Sequence, residues 1–242
     1  MSRVVRRHIE YRLLVVTVLL MLIGLLMVYS VSYHKAEREY QNPNHMLYRQ
    51  LVWLLVGLLV GALVVALPEP LYLAPRVVGL IMGGSILLLV MVLFTGQVNG
   101  SSRWLRLGGA SLQPSEFAKI AIVMYMSWLN CHLKDSINDL RKLFVLMSPV
   151  ALALLLILME PDYGTFFLMS AVCGFMLYVG GLRWGYFLTA VLGVGGLGAI
   201  LVMNNAVRYQ RILAFLDPEK HSQTTGFQLL QSIYAVGSGG IW

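Results

Sequence analysis

The chain has 242 residues, of which 58% are hydrophobic and only 12% are charged. A water-soluble domain typically has about 25% charged residues, so the composition excludes an ordinary soluble protein and predicts an integral membrane protein. The formal net charge of +7 would favour nucleic acid as a partner of a soluble protein. In a membrane protein the basic residues divide between the two sides, and we expect no nucleic-acid partner.

Long uncharged runs recur along the chain, and each is close to the roughly 17–25 residues that cross a bilayer as a helix. A shorter run, 117–129, can span if its polar flanks extend the helix, and a further helix starts near Leu229. The sequence therefore predicts an all-α, polytopic transmembrane bundle with seven spans and the start of an eighth. The other six runs are 13–31, 51–67, 77–94, 143–159, 166–182 and 186–203.

A basic cluster precedes the first run and predicts a cytoplasmic N-terminus. Alternation through the spans then assigns half of the 18 basic residues to each side. The first outer connection, 32–50, is expected to be a solvated loop. Basic residues in the later outer segments are unexpected for simple connections, and they indicate an anionic partner outside.

The second outer segment reads NGSSRWLRLGGASLQPSEFAK, residues 99–119. Its proline suits the first turn of a helix, where the carboxylate of Glu116 is favourable. Lys119 follows Glu116 by three residues, so the two share a helix face. A capped helix start and an interfacial Trp104 explain part of the motif, but they leave Arg103 and Arg106 unexplained.

The third outer segment, EPDYGT, places Glu160 and Asp162 at the end of a span. A charge at membrane depth is costly, so an acid there usually faces a cavity or a partner. Taken alone, however, the motif favours a hydrated interfacial turn made by its proline and glycine.

The longest polar segment, 204–228, contains two arginines three residues apart, Arg208 and Arg211. Asp217, Glu219 and His221 follow. Paired arginines suit phosphate oxygens, and each of the other three side chains can accept a proton from a sugar hydroxyl. The segment alone favours a solvated amphipathic loop.

Glycines recur at 193–198, GVGGLG, inside an apolar run. No strand precedes them, so a dinucleotide-binding loop is excluded. The pattern favours a face on which two helices pack closely.

Four stretches, MVYSVS, NGSSRWLRLGGASLQPSEFAK, EPDYGT and RYQRILAFLDPEKHSQTTGFQLLQSIYAVGSGG, occur here in the order seen in the SEDS (shape, elongation, division and sporulation) family. The sequence is similar to that family over nearly its whole length. The Asn-Gly pair before Arg103 and the glutamine of GFQ resemble the cell-division (FtsW) branch more than the elongation (RodA) branch. The resemblance implies a polytopic helical protein of the bacterial cytoplasmic membrane.

The activity implied by the resemblance is peptidoglycan glycosyl transfer, in which lipid II units are joined and undecaprenyl diphosphate is released. A penicillin-binding transpeptidase and other division proteins would be the partners. The resemblance assigns no particular cofactor, and a requirement for a divalent cation stays open. Basic groups would neutralise charge on the diphosphate, and the implied substrate-binding residues are Arg103, Trp104, Arg106, Glu116, Lys119, Arg208, Arg211 and Gln228.

The chain departs from the family pattern at the catalytic position of the long outer loop. The family's acid lies five residues before the glycine that corresponds to Gly226, where this sequence has His221. The candidate catalytic residues are His221, Asp217 and Asp162. Asp217 or Glu219 could take the place of His221 only if the loop shifts. Glu160 also replaces the more usual glutamine.

The second departure is length, because the family has about ten spans and this chain stops within the eighth. Residues 1–242 are thus expected to form one SEDS-type domain that is incomplete at the C-terminus. Two other functions stay open at this point: a transporter (flippase) of lipid-linked precursors, and a non-catalytic division scaffold.

Overall fold

The computed structural model describes residues 10–95, 103–107, 110–221, 223 and 226–239 of the chain. These residues form ten α-helices, one short 3-10 helix (Lys134–Ser136) and one pair of short strands. The helices are α1 (Tyr11–Tyr40), α2 (His45–Ala66), α3 (Glu69–Tyr72), α4 (Pro75–Leu93), α5 (Pro114–Leu133), α6 (Leu140–Met159), α7 (Tyr163–Val179), α8 (Trp184–Met203), α9 (Ala206–Leu216) and α10 (Phe227–Ser238), and the strands are β1 (Leu105–Leu107) and β2 (Ala110–Leu112).

The helices confirm the polytopic membrane fold. Each of the seven predicted runs coincides with a helix of 17 to 30 residues, and α10 begins close to the predicted eighth start. Five of the described helices are long and apolar enough to cross a membrane: α1, α2, α4, α6 and α8.

The chain divides into two units, Met1–Leu71 and Tyr72–Trp242, and the single domain expected from the sequence stays a prediction. In the first unit α1 packs against α2. The prediction of a solvated loop at 32–50 is wrong, because α1 continues to Tyr40 and α2 begins at His45. The segment KAEREY is rich in good helix formers, and Lys35 pairs with Glu39 one turn later at 3.9 Å.

In the second unit α4, α5, α6 and α7 pack around one apolar core. Helix α5 lies at its centre and contacts each of the other three. Its small residues Ala118 and Ala121 are buried, which allows close helix approach. Such an interior helix need not be apolar on every face, which explains why its uncharged run was the shortest. Helix α8, by contrast, has no buried residue and presents its apolar surface outward.

Helix α6 contains an internal proline, Pro149. Proline has no N–H, so the carbonyl of Val145 loses its usual helical donor. The hydroxyl of Ser148 donates to that carbonyl at 2.7 Å. A side chain thus satisfies the freed backbone group, as an apolar surrounding requires.

Hydrogen bonds between α5 and α7 define two ends of this unit. Ser115 at the start of α5 meets Asp162 at the start of α7, and Asn130 near the end of α5 donates to Met176 of α7. Helices α5 and α7 therefore run in the same direction, and α6 runs back between them. We call these the Asp162 end and the Asp139 end. A 20-residue helix such as α5 separates them by roughly 30 Å.

Candidate functional site

The two acids of the EPDYGT turn at the Asp162 end are buried. Glu160 is 0% exposed and Asp162 is 8% exposed, so the hydrated interfacial turn that the motif alone favoured is wrong. Burying a carboxylate is costly unless other groups bind it. Those groups come from the segment around β1 and β2.

The two strands form an antiparallel hairpin in which Leu105 pairs with Leu112. This register brings Arg103, just before β1, next to Gln113, just after β2. Proline then starts α5 at the favoured first position. The hairpin was not predicted, and its effect is to place a cation and an amide side by side above the turn.

The side chain of Arg103 binds both backbone carbonyls and a side chain of the turn. Its Nε donates to the carbonyl of Glu160 at 3.1 Å, its Nη2 donates to the carbonyl of Pro161, and its Nη1 lies 3.9 Å from Oδ1 of Asp162. A planar guanidinium can satisfy several acceptors in this way at once. Arg103 therefore couples the hairpin to the start of α7.

Asp162 has further partners that the sequence did not single out. Gln113 Nε2 and Ser115 Oγ lie 3.3 and 3.4 Å from its Oδ2. Its Oδ1 caps α7 by accepting from the N–H of Thr165 at 3.5 Å. The sequence could have pointed to Gln113 and Ser115, because they lie on either side of the proline that starts α5. The site prediction considered mainly the charged residues of that motif.

Glu160 follows the last residue of α6. Its side chain differs from that of Asp162 in its hydrogen bonding. Among the residues that the structure describes, no group hydrogen-bonds to either carboxylate oxygen. Burial and, to a smaller extent, the nearby Asp162 raise the pKa of this carboxyl from 4.5 to about 8, while Arg103 acts in the opposite direction. Burial thus favours the protonated form of Glu160, beside the Arg103–Asp162 ion pair.

The predicted pair in α5 is formed: Lys119 Nζ lies 2.8 Å from Glu116 Oε2, with both side chains partly exposed. Trp104 is 46% exposed. Arg106 lies in β1 opposite Ser111, and its side chain lies outside what the structure describes.

The 204–228 segment is not a plain loop, because its first part is the amphipathic helix α9. Arg208 of α9 stacks over the ring of Tyr163, the first residue of α7, at 3.5 Å. Its Nη1 also donates to the carbonyl of Leu201 at 2.9 Å. Arg103 and Arg208 thus contact the same turn, 160–165, from two distant parts of the sequence.

Arg211 and Gln228 are both exposed. Within the described part of the chain neither side chain has a hydrogen bond or an ion pair. The structure does not bring them into the cluster around Asp162, and their predicted role in substrate binding stays a prediction.

The connection from α9 to α10 holds the other catalytic candidates. Asp217 forms an ion pair with Lys220, and the hydrogen bond from Lys220 keeps the pKa of Asp217 below its ordinary value. His221 Nδ1 lies 3.1 Å from the carbonyl oxygen of Asp217. A Cβ at Gly226 would lie 2.8 Å from the carbonyl oxygen of Pro218 and 2.9 Å from that of His221, so the tight return of this loop requires glycine.

The residues that the structure describes contain no group of three or more His, Cys, Asp or Glu side chains that could hold a metal ion. The cluster at the Asp162 end instead combines two acids with Arg103, an amide and a hydroxyl. Arg103, the amide and the hydroxyl bind Asp162 and the backbone of the turn, and so they fix the position of the turn.

A family model described as the cell cycle protein family FtsW/RodA/SpoVE matches residues 11–242. A relative from Trichlorobacter lovleyi, named probable peptidoglycan glycosyltransferase FtsW, is 39% identical over 95% of this chain and 61% of its own length. The chain thus spans about three fifths of that relative.

Solved structures agree. RodA of Thermus thermophilus superposes with a TM-score of 0.50 at 27% identity, over 73% of this chain and 58% of RodA. A chain of a solved peptidoglycan synthase complex, described as showing the structural coordination of polymerization and crosslinking, superposes with a TM-score of 0.63 at 28% identity, over 91% of this chain and 65% of the other.

These matches confirm the SEDS resemblance and its FtsW-like branch. They also agree with the helices in making this a multi-pass membrane protein. The chain belongs to the FtsW/RodA/SpoVE family of cell cycle proteins.

Proposed function

We propose that this chain is a peptidoglycan glycosyltransferase that polymerises lipid II at the outer face of the bacterial cytoplasmic membrane during cell division. The name of the Trichlorobacter relative supports this proposal. The observation that carries it is the convergence of Arg103 and Arg208 on the buried turn that contains Asp162. Arg103 fixes the position of this turn, and Arg208, held beside it, is a cation that can stabilise charge developing on a leaving diphosphate.

In the proposed reaction the 4-hydroxyl of a GlcNAc on one lipid II attacks the anomeric carbon of the MurNAc on another. The new C–O bond forms while the bond from the anomeric carbon to the diphosphate breaks. Undecaprenyl diphosphate leaves with the electron pair, and a base takes the hydroxyl proton. Two devices are needed: a cationic site for the diphosphate and a proton acceptor for the hydroxyl.

Lys119, Arg208 and Arg211 are the proposed contacts for the diphosphate. Arg103 and Asp162 act together as positioning residues, because most of their polar atoms already bind the turn and the hairpin. Trp104 and Gln228, both exposed, are proposed to contact the sugars. Arg106 is assigned to the same cationic surface from its place in the motif alone.

We assign the base to His221. Asp217 is a poor proton acceptor because Lys220 binds it and lowers its pKa. Asp162 is buried and occupied by Gln113 and Ser115. With Nδ1–H donating to the carbonyl of Asp217, the lone pair of a neutral His221 ring is on Nε2, as a general base requires.

Polymerisation of lipid II by the purified chain, followed by gel separation of glycan strands, tests this function. His221→Ala should slow the reaction by about 10²–10⁴, the usual contribution of a general base. His221→Asp should keep or raise the rate, because it supplies a charged base that also stabilises positive charge at the anomeric carbon. Equal rates for wild type and His221→Ala would remove His221 from catalysis, and lipid II binding without polymer would favour a scaffold.

The partner and the orientation belong to the same proposal. One of the superposed chains comes from a synthase complex that coordinates polymerization with crosslinking, and this supports a penicillin-binding transpeptidase as the partner. The basic cluster before α1 supports a cytoplasmic N-terminus. With that orientation the Asp162 end faces outward, where the sugars of lipid II are polymerised.

A further inference from the structure

An open cavity lies at the Asp139 end, between the end of α5 and the beginning of α6. Its volume is about 620 Å³, and its polar wall residues are His132, Arg141 and Lys142 together with Ser136 and the acid Asp139. Apolar side chains of α5 and α6 form the part of the wall nearer the middle of the helices. The proposed polymerase site, roughly 30 Å away along α5, does not use any of these residues.

The basic residues are poorly placed for the stability of α6 itself. Arg141 and Lys142 lie in the first turn of the helix, where the positive end of the helix dipole repels cations, and α6 has no acid within that turn. Among the side chains that the structure describes, the capping residue Asp139 offsets them: it accepts from both backbone N–H groups and lies 3.5 Å from Lys142 Nζ. Arg141 has no ion pair within the described part of the chain.

Helix stability therefore does not explain this arrangement, whereas an anion in the cavity would. Arg141 and Lys142 would attract it and the imidazole could donate a hydrogen bond to it. The carboxylate of Asp139, which lines the same cavity and caps the helix, offsets one of the two positive charges and leaves the other. A phosphate monoester or diester matches this set, because a guanidinium and an ammonium bind its oxygens well.

The position of the cavity identifies the source of the phosphate. Trp128 stacks on His132 with ring centroids 5.0 Å apart, and tryptophan is enriched at the level of lipid headgroups. The wall residues Leu133, Val145 and Leu146 then offer an apolar surface to the start of an acyl chain. A basic cavity beside apolar helix surface is the arrangement that binds acidic lipids.

We propose that the cavity between His132, Arg141 and Lys142 is a binding site for the phosphate headgroup of an anionic phospholipid. The lipid would belong to the membrane leaflet on the side opposite the proposed polymerase site. It would stabilise the junction between α5 and α6, on which the core of the second unit depends. This site is independent of the proposed reaction.

Thermal unfolding of the purified chain in neutral detergent tests the site, with added phosphatidylglycerol, phosphatidylcholine or inorganic phosphate. Wild type should show a rise in Tm with phosphatidylglycerol that is at least twice the rise with phosphatidylcholine. The double variant Arg141→Gln, Lys142→Gln should lose more than half of that difference. Arg183→Gln is the matched control, because Arg183 is exposed at the same end but lies outside the cavity.

Native mass spectrometry on the same three proteins counts the lipid that stays bound, which keeps the test valid if the double variant has a lower Tm without lipid. The double variant should retain at least fivefold less phosphatidylglycerol than Arg183→Gln. Equal losses in the two variants would overturn the site, since they would reflect only the general charge of this surface. An equal Tm rise with inorganic phosphate would overturn the assignment to a lipid.

Discussion

Glu160 combines full burial, two carboxylate oxygens without a hydrogen-bond partner in the described residues and a pKa of about 8. A proton remains on this side chain in the folded chain at pH values where the unfolded chain, with a value of 4.5, has lost it. The folded state then binds more protons than the unfolded state, so its stability falls as pH rises. This sign is the reverse of that for a carboxylate held by a cation.

We therefore expect Glu160→Gln to be more stable than wild type at pH 8, with the difference shrinking toward pH 5. The difference should grow by at most about 1.4 kcal/mol per pH unit between those values. Thermal unfolding of both proteins at pH 5, 6, 7 and 8 measures it. Parallel curves for the two proteins would mean that Glu160 is already ionised in the folded chain.

Arg208 and Arg211 provide a matched pair on one helix, three residues apart. Arg208 stacks on Tyr163 and donates to Leu201, whereas Arg211 has no partner in the described chain. A cation–π contact contributes about 0.5–1 kcal/mol, and a hydrogen bond from a charged group about 1.5–3 kcal/mol. Arg208→Ala should therefore lower the free energy of unfolding by about 2 kcal/mol, and Arg211→Ala by less than about 0.5 kcal/mol. Similar losses for both would contradict the attachment of α9 to the turn.

At the scale of helices, one glycine of the GVGGLG run lies at the contact between α7 and α8. A Cβ at Gly198 would lie 2.9 Å from the ring of Phe167, whereas one at Gly195 would meet nothing within 4 Å. The sequence predicted a close packing face, and within the run 193–198 the near contact is at Gly198.

Gly195→Ala should leave stability unchanged or raise it by about 0.5–1 kcal/mol, since alanine is the better helix former. Gly198→Ala should be destabilising relative to Gly195→Ala, because the ring of Phe167 must move. The combination Gly198→Ala, Phe167→Leu should recover most of the loss. Unfolding measurements on the three variants check this, and a neutral Gly198→Ala would show that the two helices separate freely.

The helices were predictable because a helix that crosses a membrane needs a long apolar run, and that requirement does not depend on how the helices pack. The hairpin, α9 and the extension of α1 were not, since each mixes apolar with polar or charged residues and none contains the long uncharged run of a span. The burial of Glu160 and Asp162 was missed for a different reason. It depends on Arg103, Gln113 and Ser115, which are some 50 residues away in sequence, and a local motif carries no sign of that contact.

At the scale of the whole molecule, the proposed orientation puts the two ends of the second unit on opposite sides of the membrane. Cysteines introduced singly at Gln223 and Lys134, both exposed, report on these ends in a background with Cys131→Ser and Cys173→Ser. A membrane-impermeant maleimide added to intact cells should label Gln223→Cys and spare Lys134→Cys until the cells are opened. The reverse pattern would place the Asp162 end in the cytoplasm, where it could not act on outward-facing lipid II.

The initial rate of lipid II polymerisation by Arg103→Gln, compared with Arg183→Gln, tests the central proposal most directly. Both substitutions remove one positive charge, but Arg103 holds the buried turn while Arg183 lies at the opposite end. We predict at least a tenfold loss of kcat/KM for Arg103→Gln, equivalent to about 1.4 kcal/mol of transition-state stabilisation. Arg183→Gln should retain the wild-type value, with the Tm of each protein measured alongside. Equal rates for the two variants in folded protein would contradict a polymerase centre at the 160–165 turn.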